Sequence, residues 1–144
     1  MRAAALSTAL AALLAGCGST LPSLPPACSD GPRFVLRALR AAPGSVRLTD
    51  GTRLSECVTR AYQDADVQQL GFTLTPVADQ LARSARPADA LALGYLLGAV
   101  ERGASQTNGV HVELVRRLRG TVTFTDPALL AAVRRGERAG RARG

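Results

Sequence analysis

The most hydrophobic segment of the chain after residue 16 lies near its middle and reads Ala90-Leu91-Ala92-Leu93-Gly94-Tyr95-Leu96-Leu97-Gly98-Ala99-Val100. Asp89 and Glu101 flank it. The segment is too short to span a bilayer, which takes roughly 20 apolar residues. Because a helix that is apolar on every side is buried inside a protein, the segment predicts the central helix of a bundle.

Small residues recur at every fourth position of this segment, at Ala90, Gly94 and Gly98. Residues four apart lie on the same face of a helix, so these three form a stripe without bulky side chains. In a membrane such a stripe favours dimerisation of two helices. In a segment too short to span, we expect a second helix of the same chain to pack closely on it.

The sequence before this segment predicts three further helices. Asp30-Gly31-Pro32 favours the start of a short helix, which Pro43-Gly44 ends. From Leu54 the apolar residues recur in steps of three and four. Since a proline inside a helix breaks or kinks it, Pro76 predicts a division into helices over 55–70 and 76–85, the second capped by Thr75.

Two more helices are predicted near the C-terminus. Val110, Leu114 and Leu118 recur at spacing four, and Gly120 follows them. Asp126-Pro127 is typical of a helix start, and an Ala- and Leu-rich run follows it.

One segment alternates like a β-hairpin. Residues 46–49 and 52–54 alternate between apolar and polar around Asp50-Gly51, a dipeptide typical of hairpin turns. The sequence therefore predicts a mainly α fold, a small helical bundle with a short β-hairpin near residues 46–54.

The start of the chain has the pattern of a targeting signal. Met1-Arg2 precedes a run of mostly Ala and Leu that ends in Leu14-Ala15-Gly16-Cys17. These four residues resemble the lipobox of bacterial lipoproteins. The resemblance implies that 1–16 is a signal peptide, and that Cys17 is alkylated by a diacylglycerol and then acylated, for example with palmitate. An ordinary signal peptide cut at another site is the alternative.

The same resemblance implies a lipid-anchored protein on the extracytoplasmic side of the cell membrane, or on the outer membrane of a diderm bacterium. Residues 17–27 would then be the lipidated cysteine and a tether, in which prolines and small polar residues favour an extended spacer. Nucleic acid is excluded as a partner for such an exported chain.

The cysteine count agrees with export. The chain has three cysteines, and if Cys17 carries lipid, Cys28 and Cys57 remain as a pair. We predict a disulfide between them; two unrelated buried thiols are the alternative.

Composition and charge divide the rest of the chain. A hydrophobic content of 47% with 20% charged residues is ordinary for a globular protein, and we predict a helical domain over 28–133. The net charge is +7, and its excess lies beyond residue 115, where arginines far outnumber Asp126 and Glu137. Residues 134–144 are predicted to form an Arg- and Gly-rich tail, either contacting anionic lipid or a wall polymer or solvated without a partner.

Motifs for chemistry are weak. His111-Val112-Glu113 has the H-x-E spacing of zinc deaminases, but the P-C-x-x-C that must follow is missing. No G-x-S-x-G presents a serine to His111 as a base. Asp64 and Asp66 are interpreted as caps or solvated side chains rather than paired catalytic acids. The polar turn over 105–109 is either a ligand-binding loop or a plain helix connection. We therefore predict no catalytic, metal or cofactor residues.

Two classes of function remain. The first is a non-catalytic binding or structural module of the cell envelope, with the membrane, an unidentified protein, a lipid or a wall polymer as partner. The alternative is an envelope enzyme whose site no local motif reveals. A deep polar pocket around His111 would favour the enzyme.

Overall fold

A computed structural model describes residues 23–144, and Cys17 with the predicted signal peptide lies outside them. Within this range the chain forms one 3-10 helix and six α-helices and has no strand. The 3-10 helix is Pro26–Ser29, and the α-helices are α1 Pro32–Leu39, α2 Leu54–Arg60, α3 Asp64–Ser84, α4 Pro87–Ala104, α5 Val112–Arg119 and α6 Pro127–Arg143. The mainly α class is confirmed.

Helix α4 is the centre of the bundle. Its residues from Ala92 to Val100 are all buried, and each of the other five α-helices contacts it. The buried apolar residues form one cluster that draws on every α-helix and includes both cysteines. The other described helices pack around α4, so residues 23–144 share one continuous hydrophobic core of the kind that a single domain has.

Helix α6 packs on the small-residue stripe of α4. A methyl group on Gly94 would lie 2.8 Å from the carbonyl carbon of Val133, and one on Gly98 would lie 2.9 Å from that of Glu137. Residue numbers in the two helices rise together along the contact, so α4 and α6 run parallel. The predicted close packing on this stripe is thus made by the last helix of the chain.

Glycines of α6 make the reciprocal approach to α4. A methyl group on Gly136 would lie 2.7 Å from the amide nitrogen of Tyr95, and one on Gly140 would lie 2.8 Å from that of Ala99. Two backbones in such contact gain van der Waals attraction along their whole length. The glycines near the C-terminus therefore serve helix packing.

Residues 134–144, predicted to be a tail, belong to this packed helix through Arg143. The carboxyl end of α6 is held by side chains: Nη1 of Arg102 donates to the carbonyls of Arg141 and Ala142 at 3.0 and 2.7 Å, and Oγ of Ser55 donates to that of Gly144 at 2.6 Å. The composition indicated a tail because arginine and glycine are common in unstructured segments, but here the glycines face α4 and much of the arginine faces solvent.

The predicted helices over 55–70 and 76–85 were wrong in their boundary. The chain breaks after α2, at residues 61–63, and α3 runs through Pro76. Pro76 lies on the exposed side of α3, where water can reach the carbonyl whose intrahelical partner a proline removes.

The short β-hairpin near residues 46–54 was also wrong, although its turn is present. The amide of Gly51 donates to the carbonyl of Leu48 at 3.0 Å, and the amide of Leu48 donates to that of Thr52 at 2.9 Å. The flanks do not pair further, because the amide of Val46 donates to Oη of Tyr95 at 3.3 Å and α2 begins at Leu54.

A disulfide between Cys28 and Cys57 joins the 3-10 helix to α2, with 5.6 Å between the Cα atoms. Both residues are buried. No helix within residues 23–144 is long and apolar enough to cross a bilayer.

Candidate functional site

The candidate site is a groove between α1, the end of α3 and the start of α4, with a volume of about 610 Å³. This volume lies within the range of small-molecule sites, about 300–1,000 Å³. We call it the arginine groove. Its lining includes four arginines and an apolar floor, namely Arg33, Arg37, Arg40, Arg86, Leu36, Leu39, Leu81, Leu91 and Ala92.

Helix α1 sets three of the arginines side by side. Arg33, Arg37 and Arg40 follow one another at spacings of four and three, which places them on one face of the helix. All three are exposed. The guanidinium carbons of Arg33 and Arg37 lie 4.7 and 5.9 Å from the centroid of the Phe34 ring, so the ring face attracts both.

No acidic residue among 23–144 forms an ion pair with these three arginines. The groove's one carboxylate, Asp89, already accepts hydrogen bonds from Arg86 at 2.5 Å and from Ser84 at 2.6 Å. Burial works to raise the pKa of Asp89, but these two hydrogen bonds outweigh it and lower that pKa below its usual value. Asp89 is therefore ionised at neutral pH and compensates Arg86, which leaves a net positive charge along α1.

The floor of the groove is apolar. Leu39 and Leu81 are buried core residues, and Leu36 and Leu91 are half-buried. Positive charge at the rim and leucine below it suit a ligand that carries an anionic group on an apolar body.

His111 lies elsewhere, in the connection between α4 and α5, and is buried with 1% of its surface exposed. Its Nδ1 is 2.8 Å from Oγ1 of Thr107, which itself donates to the carbonyl of Ala104 at 2.8 Å. Nδ1 and Oγ1 of Thr107 share a hydrogen bond, and Nε2 has no hydrogen-bond partner among the described residues. Burial lowers the pKa of His111, against an opposing effect of the Ala61 carbonyl, so the ring is neutral at pH 7.

The other predicted site residues do not gather around His111. Asp64 and Asp66 lie in the first turn of α3, where carboxylates interact favourably with the helix dipole. Residues 105–109 form turns between α4 and α5. Cys17 lies outside the described residues. Within residues 23–144 no cluster of histidine, cysteine and carboxylate side chains is placed to hold a metal ion.

An ion-pair cluster ties three helices together beside the C-terminus. Glu101 of α4 pairs with Arg119 at the end of α5 and, at 2.8 Å, with Arg141 of α6. Glu137 lies 3.8 Å from Arg119 and 3.6 Å from Arg141. Arg141 and Arg119 are half-exposed, but Glu101 and Glu137 balance their charges, so these two add little net positive charge to the surface.

A second groove, of about 400 Å³, is apolar and lies between α3 and α5, with the exposed Phe72 and Val110 at its edge. Its floor includes Pro76 and Leu114. Among residues 23–144, no segment of the chain covers this apolar groove.

Sequence reasoning missed the arginine groove because it counted charge along the chain. Arginines and acids are equal in number over residues 17–115, yet no acid of residues 23–144 forms an ion pair with Arg33, Arg37 or Arg40. The available signal was the spacing of Arg33, Arg37 and Arg40 within a helix that the sequence did predict.

Comparison of the chain with protein-family models, curated proteins and solved structures found no match. The described residues define a mainly α, disulfide-bonded helical bundle that carries an arginine-rimmed groove.

Proposed function

We propose that this chain is a lipid-anchored, non-catalytic binding module of the bacterial cell envelope. Cys17 would hold it to the extracytoplasmic face of a membrane, and residues 17–27 would connect the anchor to the bundle. The lipobox-like Leu14-Ala15-Gly16-Cys17 supports the anchor. The disulfide supports export, because such bonds persist in oxidising compartments.

The arginine groove is the observation that carries the binding function. Three neighbouring arginines without an acidic partner are electrostatically unfavourable by themselves, and an anionic ligand relieves that repulsion. Such a site needs no catalytic group. His111, the histidine of the chain, is buried against Thr107 and does not line the groove.

The C-terminal arginines are the second candidate surface for an anionic lipid or a wall polymer. Arg141 is engaged with Glu101, and Nη1 of Arg143 donates to the carbonyl of Pro43 at 3.0 Å. Arg134, Arg135 and Arg138 remain exposed on α6. Because they line neither the arginine groove nor the apolar groove between α3 and α5, we favour α1 as the ligand surface.

The anchor is tested by expressing the full chain in a bacterium and separating membrane from soluble protein. We expect the wild-type chain in the membrane fraction. Cys17→Ser should either release the protein or leave it at the size of the uncut precursor, whereas the tether variant Ser19→Ala should behave as wild type. A Cys17→Ser chain that is processed and retained like wild type contradicts the proposal.

A further inference from the structure

We infer that the arginine groove binds an anionic phospholipid of the membrane that holds the anchor. The lipid phosphate would lie between the guanidinium groups of α1, and its acyl part over the leucine floor. This inference rests on the proposed function, in which the protein is held at a membrane. It adds the class of ligand and the face of the bundle that is turned toward the bilayer.

The charge of the rim selects an anion. Arg33, Arg37 and Arg40 are exposed and unpaired among the described residues, while Asp89 is held by Arg86 and Ser84. A guanidinium group is planar and donates two parallel hydrogen bonds to phosphate. Two or three such groups along about 10 Å of helix, at 1.5 Å per residue, can surround one phosphate.

The floor distinguishes a lipid from free phosphate. Inorganic phosphate would contact the rim alone and leave the half-buried Leu36 and Leu91 partly in water. An acyl chain covers them, and burial of apolar surface is favourable. A groove with both features is therefore more complementary to a phospholipid than to a small anion.

The position of α1 in the chain brings the groove to the bilayer. Helix α1 begins at Pro32, directly after the 3-10 helix that starts at Pro26. Residues 18–26 reach at most about 30 Å when fully extended, at 3.3–3.6 Å per residue. The anchor thus keeps the groove within a short distance of anionic headgroups, which attract arginine at about 1 kcal/mol each near the surface.

The exposed arginines of α6 provide a matched control. Arg134, Arg135 and Arg138 carry the same charge as the α1 set and likewise form no ion pair among the described residues. They differ in lying outside the arginine groove and its leucine floor. Substituting either set removes three positive charges. The two variants should therefore differ in vesicle binding only if the arginine groove is a specific site.

The experiment uses residues 18–144, which contain the complete core and lack Cys17, so its outcome does not depend on lipidation. Binding is measured by co-sedimentation with vesicles of phosphatidylcholine alone or mixed with phosphatidylglycerol. The variants are Arg33→Gln/Arg37→Gln/Arg40→Gln and Arg134→Gln/Arg135→Gln/Arg138→Gln, each checked for cooperative melting. In competition experiments, inorganic phosphate or polyglutamate is added to the protein and anionic vesicles. The displacement is compared with that caused by sodium chloride at the same ionic strength.

We expect the wild-type chain to bind the anionic vesicles and not the neutral ones. The α1 variant should bind roughly 100-fold more weakly, since each arginine near an anionic surface contributes about fivefold, and the α6 variant within about threefold of wild type. Equal losses in the two variants would mean diffuse charge attraction and would overturn the groove. Unchanged binding of the α1 variant, or displacement by phosphate or polyglutamate beyond the salt reference, would overturn the phospholipid.

Discussion

Gly98 of α4 and Glu137 of α6 are in backbone contact, so close that a single methyl group on Gly98 would lie 2.9 Å from the carbonyl carbon of Glu137. The contact joins α4, the most hydrophobic of the long helices among residues 23–144, to α6, which carries five arginines. It explains why a C-terminal segment with the composition of a solvated tail is part of the fold.

Substitution of this glycine should destabilise the protein. Alanine is the better helix former by about 1 kcal/mol, but overpacking of a filled interface costs about 1–3 kcal/mol. Because the obstructing atoms at Gly98 are backbone atoms of α6, we expect Gly98→Ala to lower the free energy of unfolding by about 1–2 kcal/mol in urea denaturation.

Gly71 in α3 is the control for that prediction, since a methyl group there meets nothing within 4 Å. Gly71→Ala should raise stability by roughly 0.5–1 kcal/mol. If both alanine variants are more stable than wild type, α4 and α6 do not pack as described.

Removal of residues 134–144 should abolish cooperative folding. The truncation deletes Gly136, Gly140 and the ion pairs of Arg141, and it uncovers Tyr95 and Ala99 of the central helix. The melting curve of the truncated chain reports the loss. The α6 triple glutamine variant, which keeps the helix and its glycines, should melt within a few degrees of wild type. A truncated chain with an unchanged melting temperature would show that the segment is dispensable.

The buried histidine makes stability depend on pH. Burial lowers the pKa of His111 in the folded protein from 6.5, so below that pH the unfolded chain binds a proton that the folded chain resists. By linkage the free energy of unfolding then falls as the pH decreases below 6.5. Well above that pH the ring is neutral in both the folded and the unfolded chain, so its titration does not change the free energy of unfolding.

His111→Asn removes the titrating group and keeps a polar side chain near Thr107. Between pH 6.5 and about 5, before most carboxylates titrate, the unfolding free energy of the variant should change less than that of wild type. Equal slopes for the two proteins in this window would be evidence against a titrating role for His111.

Cys28 and Cys57 have a sequence separation of 29, and for a loop of this size the disulfide should stabilise the fold by about 3–4 kcal/mol on the chain-entropy model. Thiol titration of the unfolded, non-reduced bundle of residues 18–144 should find no free cysteine. Reduction should lower the melting temperature, and the double variant Cys28→Ser/Cys57→Ser should be insensitive to reductant. Two reactive thiols in the oxidised protein would refute the bond.

Much of the fold follows from the sequence because its strongest signals are local. The apolar run around Leu93 predicted the buried helix, and Asp126-Pro127 predicted the start of α6, where Asp126 accepts a hydrogen bond from the amide of Ala128 at 2.7 Å. The stripe at Gly94 and Gly98 predicted close packing. The stripe did not identify the helix that packs on it, because glycines near the C-terminus are as compatible with a flexible tail as with a helix contact.

The predicted hairpin was wrong and the arginine groove was missed for the same physical reason. Residues far apart in the sequence determine the structure at both places. Val46 donates to Tyr95 rather than to a partner strand, and no local pattern encodes that choice. The arginine groove is assembled from α1, α3 and α4, so neither its floor nor its uncompensated charge was visible in a count along the chain.

The lipid anchor at Cys17 can be tested by measuring the intact mass of the protein purified from bacterial membranes. We expect a chain that begins at Cys17 and exceeds its polypeptide mass by a diacylglycerol group and an added acyl chain. A mature chain that starts at any other residue, or one of unmodified polypeptide mass, would contradict it.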